Sequence, residues 1–240
     1  MSYTNLSINI NKVALIRNAR GENKPDLIQF ARDCESYGAE GITVHPRPDE
    51  RHVRFSDVPA LKEVVRTELN IEGNPTKQFM DLVLQVQPHQ CTLVPDEPGQ
   101  LTSDHGWDAV RYGDFLRDVI GTLKSKDIRV SVFVNADPDM MDAVAETGTD
   151  RVELYTGPYA LGYLKDPTEA IRSYIHTANR ARRLGMKVNA GHDLDLSNLH
   201  FFKSKIPFLS EVSIGHALIS DALYYGIGNT IRMYKQELEL

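Results

Sequence analysis

The chain has 240 residues, with 27 Lys and Arg against 33 Asp and Glu and a formal net charge of −6. A hydrophobic share of 41% with 25% charged residues is that of a soluble globular protein and excludes disorder. Mild acidity excludes broad nucleic-acid binding, which wants a basic face, and no apolar run approaches the roughly 20 residues of a membrane span. Taken in chain order, β-rich runs at 6–11, 41–45, 69–72, 90–94, 128–135, 151–155, 187–191 and 211–215 alternate with helical patterns. The helical patterns cover 26–37, 58–66, 76–87, 107–125, 138–146, 167–184, 196–203 and 217–237. Strand then helix, repeated in this way, predicts a parallel sheet, and the count and length predict a closed (β/α)8 TIM barrel over residues 1–240 as one domain. An open doubly wound sheet is the alternative, but its Gly-rich nucleotide fingerprint is absent. Gly226-Ile227-Gly228 sits inside the last helical pattern rather than after a first strand.

The strands alternate. Leu6, Ile8 and Ile10 oppose Ser7, Asn9 and Asn11; Ile71 opposes Glu72; Val152 and Leu154 oppose Glu153 and Tyr155. Helices cover the outside of a barrel, so the apolar set faces them and the polar set faces the lumen. Repeated buried polar residues need partners, which predicts a polar site rather than a purely apolar lumen. The unpatterned stretches 46–57 and 95–106 both follow strands, and Pro95-Asp96-Glu97-Pro98-Gly99-Gln100 is a candidate lid.

His45, His192 and His216 fall at three strand ends, where catalytic residues of barrels gather. Of the remaining five histidines only His52 lies near that face. Glu72 and Glu153 join them. A poorly solvated lumenal carboxyl has a raised proton affinity and suits a general base, whereas a Glu paired to Arg129 or Lys187 is structural. Arg17 and Arg20 past the first strand, with Arg47, Arg51 and His52 past the second, are candidate anion binders. Gly191-His192 and Gly215-His216 end the last two strands, where barrels cradle phosphate. Histidine with carboxylate favours acid–base chemistry over a metal, and no metal-ligand spacing is present. Cys34 and Cys91 make no disulfide framework, and Met1-Ser2-Tyr3-Thr4-Asn5 lacks a secretory pattern, so a cytoplasmic location is expected. These residues point to acid–base chemistry on phosphorylated carbonyl compounds.

Several long motifs then carry a resemblance. Asn9-Ile10-Asn11-Lys12, Arg17-Asn18-Ala19-Arg20-Gly21, Gly41-Ile42-Thr43-Val44-His45-Pro46-Arg47 and His52 resemble the pyridoxine 5′-phosphate synthase family. So do Asn70-Ile71-Glu72, Leu93-Val94-Pro95, Glu153-Leu154-Tyr155-Thr156-Gly157, Lys187-Val188-Asn189-Ala190-Gly191-His192 and Ile214-Gly215-His216. The resemblance implies a (β/α)8 barrel with additional helices, assembled as an octamer, that needs no metal or organic cofactor. It implies condensation of 1-deoxy-D-xylulose 5-phosphate with 3-amino-2-oxopropyl phosphate to pyridoxine 5′-phosphate, phosphate and water. His45 and Glu72 would act as bases and His192 as a proton donor, with Glu153 an additional acid–base candidate. Asn9, Arg20, Gly215 and His216 would hold the amino-ketone phosphate. Arg47, His52 and Thr102 would hold the deoxyxylulose phosphate. Two departures stand out: many members carry Asp-His where this chain has Asn11-Lys12, and Gly where it has Asp193. These three positions are carried as substrate-binding candidates. A different phosphosugar aldolase or isomerase, and a non-catalytic phosphate-binding barrel, are the rival readings.

Overall fold

The computed structural model describes residues 3–97 and 99–239. Met1 and Ser2 of the N-terminal reading, Pro98 of the candidate lid and Leu240 lie outside the described residues. Eight parallel strands close in sequence order: β1 (Asn5–Asn9), β2 (Gly41–Val44), β3 (Leu69–Gly73), β4 (Gln90–Leu93), β5 (Arg129–Val134), β6 (Arg151–Tyr155), β7 (Lys187–Gly191) and β8 (Glu211–Ile214). Closure is made by β1 against β8, with Leu6 opposite Val212 and Ile8 opposite Ile214. The expected TIM barrel is therefore observed. Around it run α1 (Asn11–Asn18), α2 (Leu27–Ser36), α3 (Asp57–Val64), α4 (Lys77–Val86), α5 (Ala109–Lys124) and α6 (Met141–Glu146). They continue with α7 (Gly157–Tyr163), α8 (Pro167–Ala170), α9 (Arg172–Arg183), α10 (Leu199–Lys205), α11 (His216–Tyr225) and α12 (Ile227–Glu237).

The helix starts follow local chemistry. Asp26, Thr76 and Asp108 accept first-turn N–H groups of α2, α4 and α5, satisfying donors that have no partner within the helix. The expected helix at 217–237 is two helices, because Gly226 takes φ +74 between α11 and α12. The expected helix at 167–184 likewise divides, at Ile171, into α8 and α9.

One expectation near the site needs correction. The first strand ends at Asn9, not Asn11, so Asn11 and Lys12 open α1 instead of lying in or just beyond a strand. The Asn9 side-chain oxygen accepts the Asn11 N–H at 3.1 Å and so turns the chain into the helix. The helix itself gave no sequence signal because it lacks a clean apolar stripe: Leu15 and Ile16 are 41% and 47% exposed.

The lumen is polar, as the alternation predicts. Leu6, Ile8, Ile42, Ile71, Val132, Val152 and Leu154 are fully buried in the apolar core, and each such side chain contributes about 1.5–3 kcal/mol on burial. On the other face, Ser7 and Thr43 share a hydrogen bond of 2.7 Å, Asn70 donates to Thr43 at 3.4 Å, and Thr92 donates to Asn70 at 3.1 Å. Toward the strand starts, Arg151 donates to Glu211 and to Asn189, each at 3.2 Å, and Gln90 donates to Glu211 at 3.2 Å. Arg129 pairs with Glu68 and donates to Gln90. The cations considered as partners for Glu72 and Glu153 are thus elsewhere: Arg129 is engaged at the opposite end and Lys187 is exposed.

Candidate active site

The carboxyl ends of the strands bring Asn9, His45, Glu72, Glu153 and His192 to one mouth. Glu72, on β3, is buried; it accepts from the Asn9 side-chain amide at 3.3 Å and from the Ser213 hydroxyl at 3.5 Å. Burial, reinforced by the charges of Asp96 and Glu211, pushes its carboxyl up to about 8. Glu153, on β6, is also buried, with Oε2 unpartnered among the described residues. Its proton affinity is raised well above the ordinary carboxyl range by burial, then by Glu72, against a hydrogen bond from Thr92. Gly191 makes room for it. A Cβ there would stand 2.7 Å from Glu153 Oε1 and 2.7 Å from the Ser213 carbonyl oxygen.

His45 stands just past β2, and its backbone N–H donates to the Asn11 side-chain oxygen at 3.0 Å. Asn11 therefore still serves this mouth, although it belongs to a helix. Burial, and then Arg47, hold the His45 imidazole well below its ordinary proton affinity. It is a neutral ring at pH 7, able to take a proton. His52 is pushed down to about 4 by burial, then by Arg51, Arg47 and Lys12. Its Nδ1 is buried without a hydrogen-bond partner among the described residues, while Arg51 Nε donates to its Nε2 at 3.3 Å.

The candidate lid is folded over this mouth. Arg47 Nη2 donates to Asp96 at 2.5 Å and Nη1 to the Gln100 carbonyl at 3.1 Å. Arg51 donates to the Gln100 and Leu101 carbonyls at 2.7 and 2.8 Å. Ser103 donates to Asp96 at 2.7 Å. Farther along, the Gly106 N–H donates to the Asn135 side chain at 3.0 Å. Between these anchors Thr102 crosses to β7, with its hydroxyl 2.7 Å from His192 Nε2. The other nitrogen of that ring, Nδ1, lies 2.6 Å from Asp193 Oδ2.

Not every candidate joins the group. Arg17 is a structural residue: it is buried, donates twice to Asp57 at 2.8 Å, and braces the His52 carbonyl. Arg20 is exposed in the turn past α1. His216 is exposed as the first residue of α11, behind Gly215. A Cβ on Gly215 would approach the Asn9 carbonyl oxygen to 3.2 Å, so the glycine permits close packing there. His89, His105 and His200 bond to Leu69, Asp104 and Glu237, outside the mouth. Asp96, Ser213 and Tyr155, whose ring meets that of His192 edge-on at 5.6 Å, are not among the site candidates of the sequence reading. Asp96 lay within the recognised lid stretch, but no local pattern marks it as the partner of Arg47.

A closed parallel barrel with titratable groups at its carboxyl mouth, roofed by a loop held on two arginines, defines a (β/α)8 acid–base enzyme. The family model described as pyridoxal phosphate biosynthesis protein PdxJ matches residues 6–240, and the chain belongs to that family of vitamin B6 biosynthesis. It is 59% identical over 232 residues to pyridoxine 5′-phosphate synthase of Bacteroides fragilis (strain YCH46), covering 97% of this chain and 98% of the relative. It is 56% identical over 236 residues to the enzyme of the same name from Cytophaga hutchinsonii, covering 98% and 99%. Among solved structures, 3-keto-L-gulonate-6-phosphate decarboxylase from Vibrio cholerae superposes with a TM-score of 0.67 at 10% identity, covering 99% of this chain and 98% of that one. At that identity the likeness is one of fold.

Proposed function

We propose that this chain condenses 1-deoxy-D-xylulose 5-phosphate with 3-amino-2-oxopropyl phosphate to give pyridoxine 5′-phosphate, phosphate and water, without a metal or organic cofactor. The observation that carries this reading is the convergence of His45, Glu72 and His192 at one mouth, in a chain whose named relatives are pyridoxine 5′-phosphate synthases. The reaction requires an amine to attack a ketone, water and phosphate to leave, and a carbon–carbon bond to close the ring. Each step moves a proton, and positioned acids and bases serve such steps. His45, kept neutral, takes a proton. Glu72, raised to about 8, takes and returns one. His192 delivers one to a leaving oxygen. The loop through Thr102 keeps water from imine and enol intermediates. Glu153 is an additional proton site beside Glu72.

Arg47 and His52 are assigned to the deoxyxylulose phosphate. The first turn of α11 behind Gly215 and His216, with Arg20, is assigned to the amino-ketone phosphate. Asn9 acts chiefly through Glu72, to which it donates. The test is direct: purified protein with both substrates should yield pyridoxine 5′-phosphate, identified by absorbance and mass. Binding without phosphate release would instead mark a non-catalytic barrel, and a different product a sugar-phosphate aldolase or isomerase.

Lys12 adds a cation to the His52 side of the mouth, since its charge disfavours protonation of that ring. Lysine attracts phosphate as a point charge. Lys12→Met is expected to raise KM for deoxyxylulose phosphate more than it lowers kcat, the pattern of lost uniform binding. Borohydride should trap no substrate adduct on Lys12; a trapped adduct would give that residue a covalent role. The assembly is assigned as a homo-octamer in the cytoplasm. Light scattering of the purified protein should report a mass near eight chains, and a persistent monomer at micromolar concentration would contradict it.

A further inference from the structure

We propose that Asp193 is the positioning residue of His192, selecting Nε2 as the nitrogen that exchanges a proton with substrate beneath the Thr102 loop. This deepens the reading above and rests on its assignment of His192. A carboxylate only accepts hydrogen bonds, so the 2.6 Å contact from Asp193 Oδ2 makes His192 Nδ1 the donor. A neutral imidazole has one N–H, so Nε2 then keeps its lone pair and accepts the Thr102 hydroxyl at 2.7 Å. When the ring carries a second proton, that proton sits on Nε2. It passes to a substrate oxygen as the bond to that oxygen breaks, and Nε2 recovers its lone pair. Thr102 marks the position such an oxygen takes when substrate enters.

The backbone holds this arrangement. His192 has φ +91, a conformation that a side chain of this size rarely adopts and that persists only where its surroundings impose it. The turn begins at Gly191 and folds the adjacent side chains of His192 and Asp193 together, whereas successive residues of a strand point apart. Both sides of Asp193 are anchored: its N–H donates to Thr156 Oγ1 at 3.2 Å and its carbonyl accepts from Asn198 at 3.3 Å. Thr156 in turn donates to the Gly191 carbonyl at 2.5 Å. Tyr155 stacks edge-on against the ring at 77° and limits its rotation. The pair is partly solvated, with side-chain exposures of 27% and 41%. Such a pair adds little to stability, so orientation is what its loss should reveal.

The test uses the full chain with ring-¹⁵N histidine, free of substrate, at a pH where His192 is neutral. Its signal is identified by its loss in His192→Gln. Two-bond ¹H–¹⁵N correlation should show the Nδ1–H tautomer in the wild type and a shift toward Nε2–H in Asp193→Gly. That variant should keep its melting temperature. Its kcat should fall by about 10²-fold, the cost of a misplaced reacting group, with both KM values within about threefold. An Nε2–H tautomer in the wild type, or an unchanged kcat in Asp193→Gly, would overturn the proposal. So would a raised KM at constant kcat, which would make Asp193 a substrate contact. A wild type that forms no pyridoxine 5′-phosphate would overturn the reaction assignment instead, and the ring spectrum alone would then decide the role of Asp193.

Discussion

Glu72→Gln is expected to lower turnover by about 10²–10⁴-fold, the contribution of a general base, and at the same time to make the protein more stable at pH 8. The amide copies the shape of the carboxyl but cannot ionise; its one carbonyl oxygen can accept from Asn9, and its NH2 can donate to the Ser213 hydroxyl. In the folded chain Glu72 titrates near 8, against an ordinary carboxyl value of 4.5. Between those values the folded state holds a proton that the unfolded chain has lost. The contribution of Glu72 to wild-type stability is therefore complete below about 4.5 and is lost as pH rises through about 8. The variant lacks that loss. Denaturant melts should show it more stable than wild type at pH 8, by on the order of 4 kcal/mol, at about 1.4 kcal/mol for each pH unit between the two values. The difference should vanish near pH 4. Catalysis has the opposite sign: a base must be ionised, so wild-type kcat/KM should climb as pH passes through about 8. A variant with near-normal turnover would remove Glu72 from the chemistry.

The second large effect belongs to Arg47. Its guanidinium is the counter-charge of Asp96, and both side chains are nine-tenths buried, at 9% and 3% exposure. Arg47→Met leaves that carboxylate without its cation, a change that costs about 3–5 kcal/mol. The loop through Gln100 and Thr102 loses two of its hydrogen bonds as well. KM for deoxyxylulose phosphate should rise by about 10²-fold, since a charge-assisted bond to phosphate is worth about 1.5–3 kcal/mol. The double variant Arg47→Met with Asp96→Ala separates the two roles. It should recover much of the thermal stability, because no charge is then left unpaired, while KM stays high. Equal KM values in Arg47→Met and wild type would take Arg47 out of the phosphate site, whatever happened to stability.

Lys12 and Asn11 show where local pattern stops being informative. The alternation of Leu6, Ile8 and Ile10 against Ser7, Asn9 and Asn11 continues past the point where the strand ends. What ends it is a tertiary and local compromise: the Asn9 side chain takes the Asn11 N–H and also donates to Glu72, across from β3. The arginines are a second case. Arg17, Arg47 and Arg51 look alike as basic residues past the first two strands. Asp57 claims Arg17, while Arg47 and Arg51 hold the lid. No spacing in the sequence distinguishes these fates, because Asp57 and Gln100 reach the arginines only in the folded chain.

By itself the sequence determined the barrel, the inward polar face and the strand-end positions of His45, Glu72 and His192. These follow from period-two alternation and strand–helix repetition, which are local properties of the chain. Tertiary structure alone decided the proton affinities and the pairings. Glu72 holds its proton to about 8 because closure of the barrel buries it near Asp96 and Glu211. Thr102 reaches His192 because the loop after β4 spans the mouth to β7, 90 residues on. Burial depth and contacts across the mouth exist only once eight strands have closed, so they could not be written in any one segment.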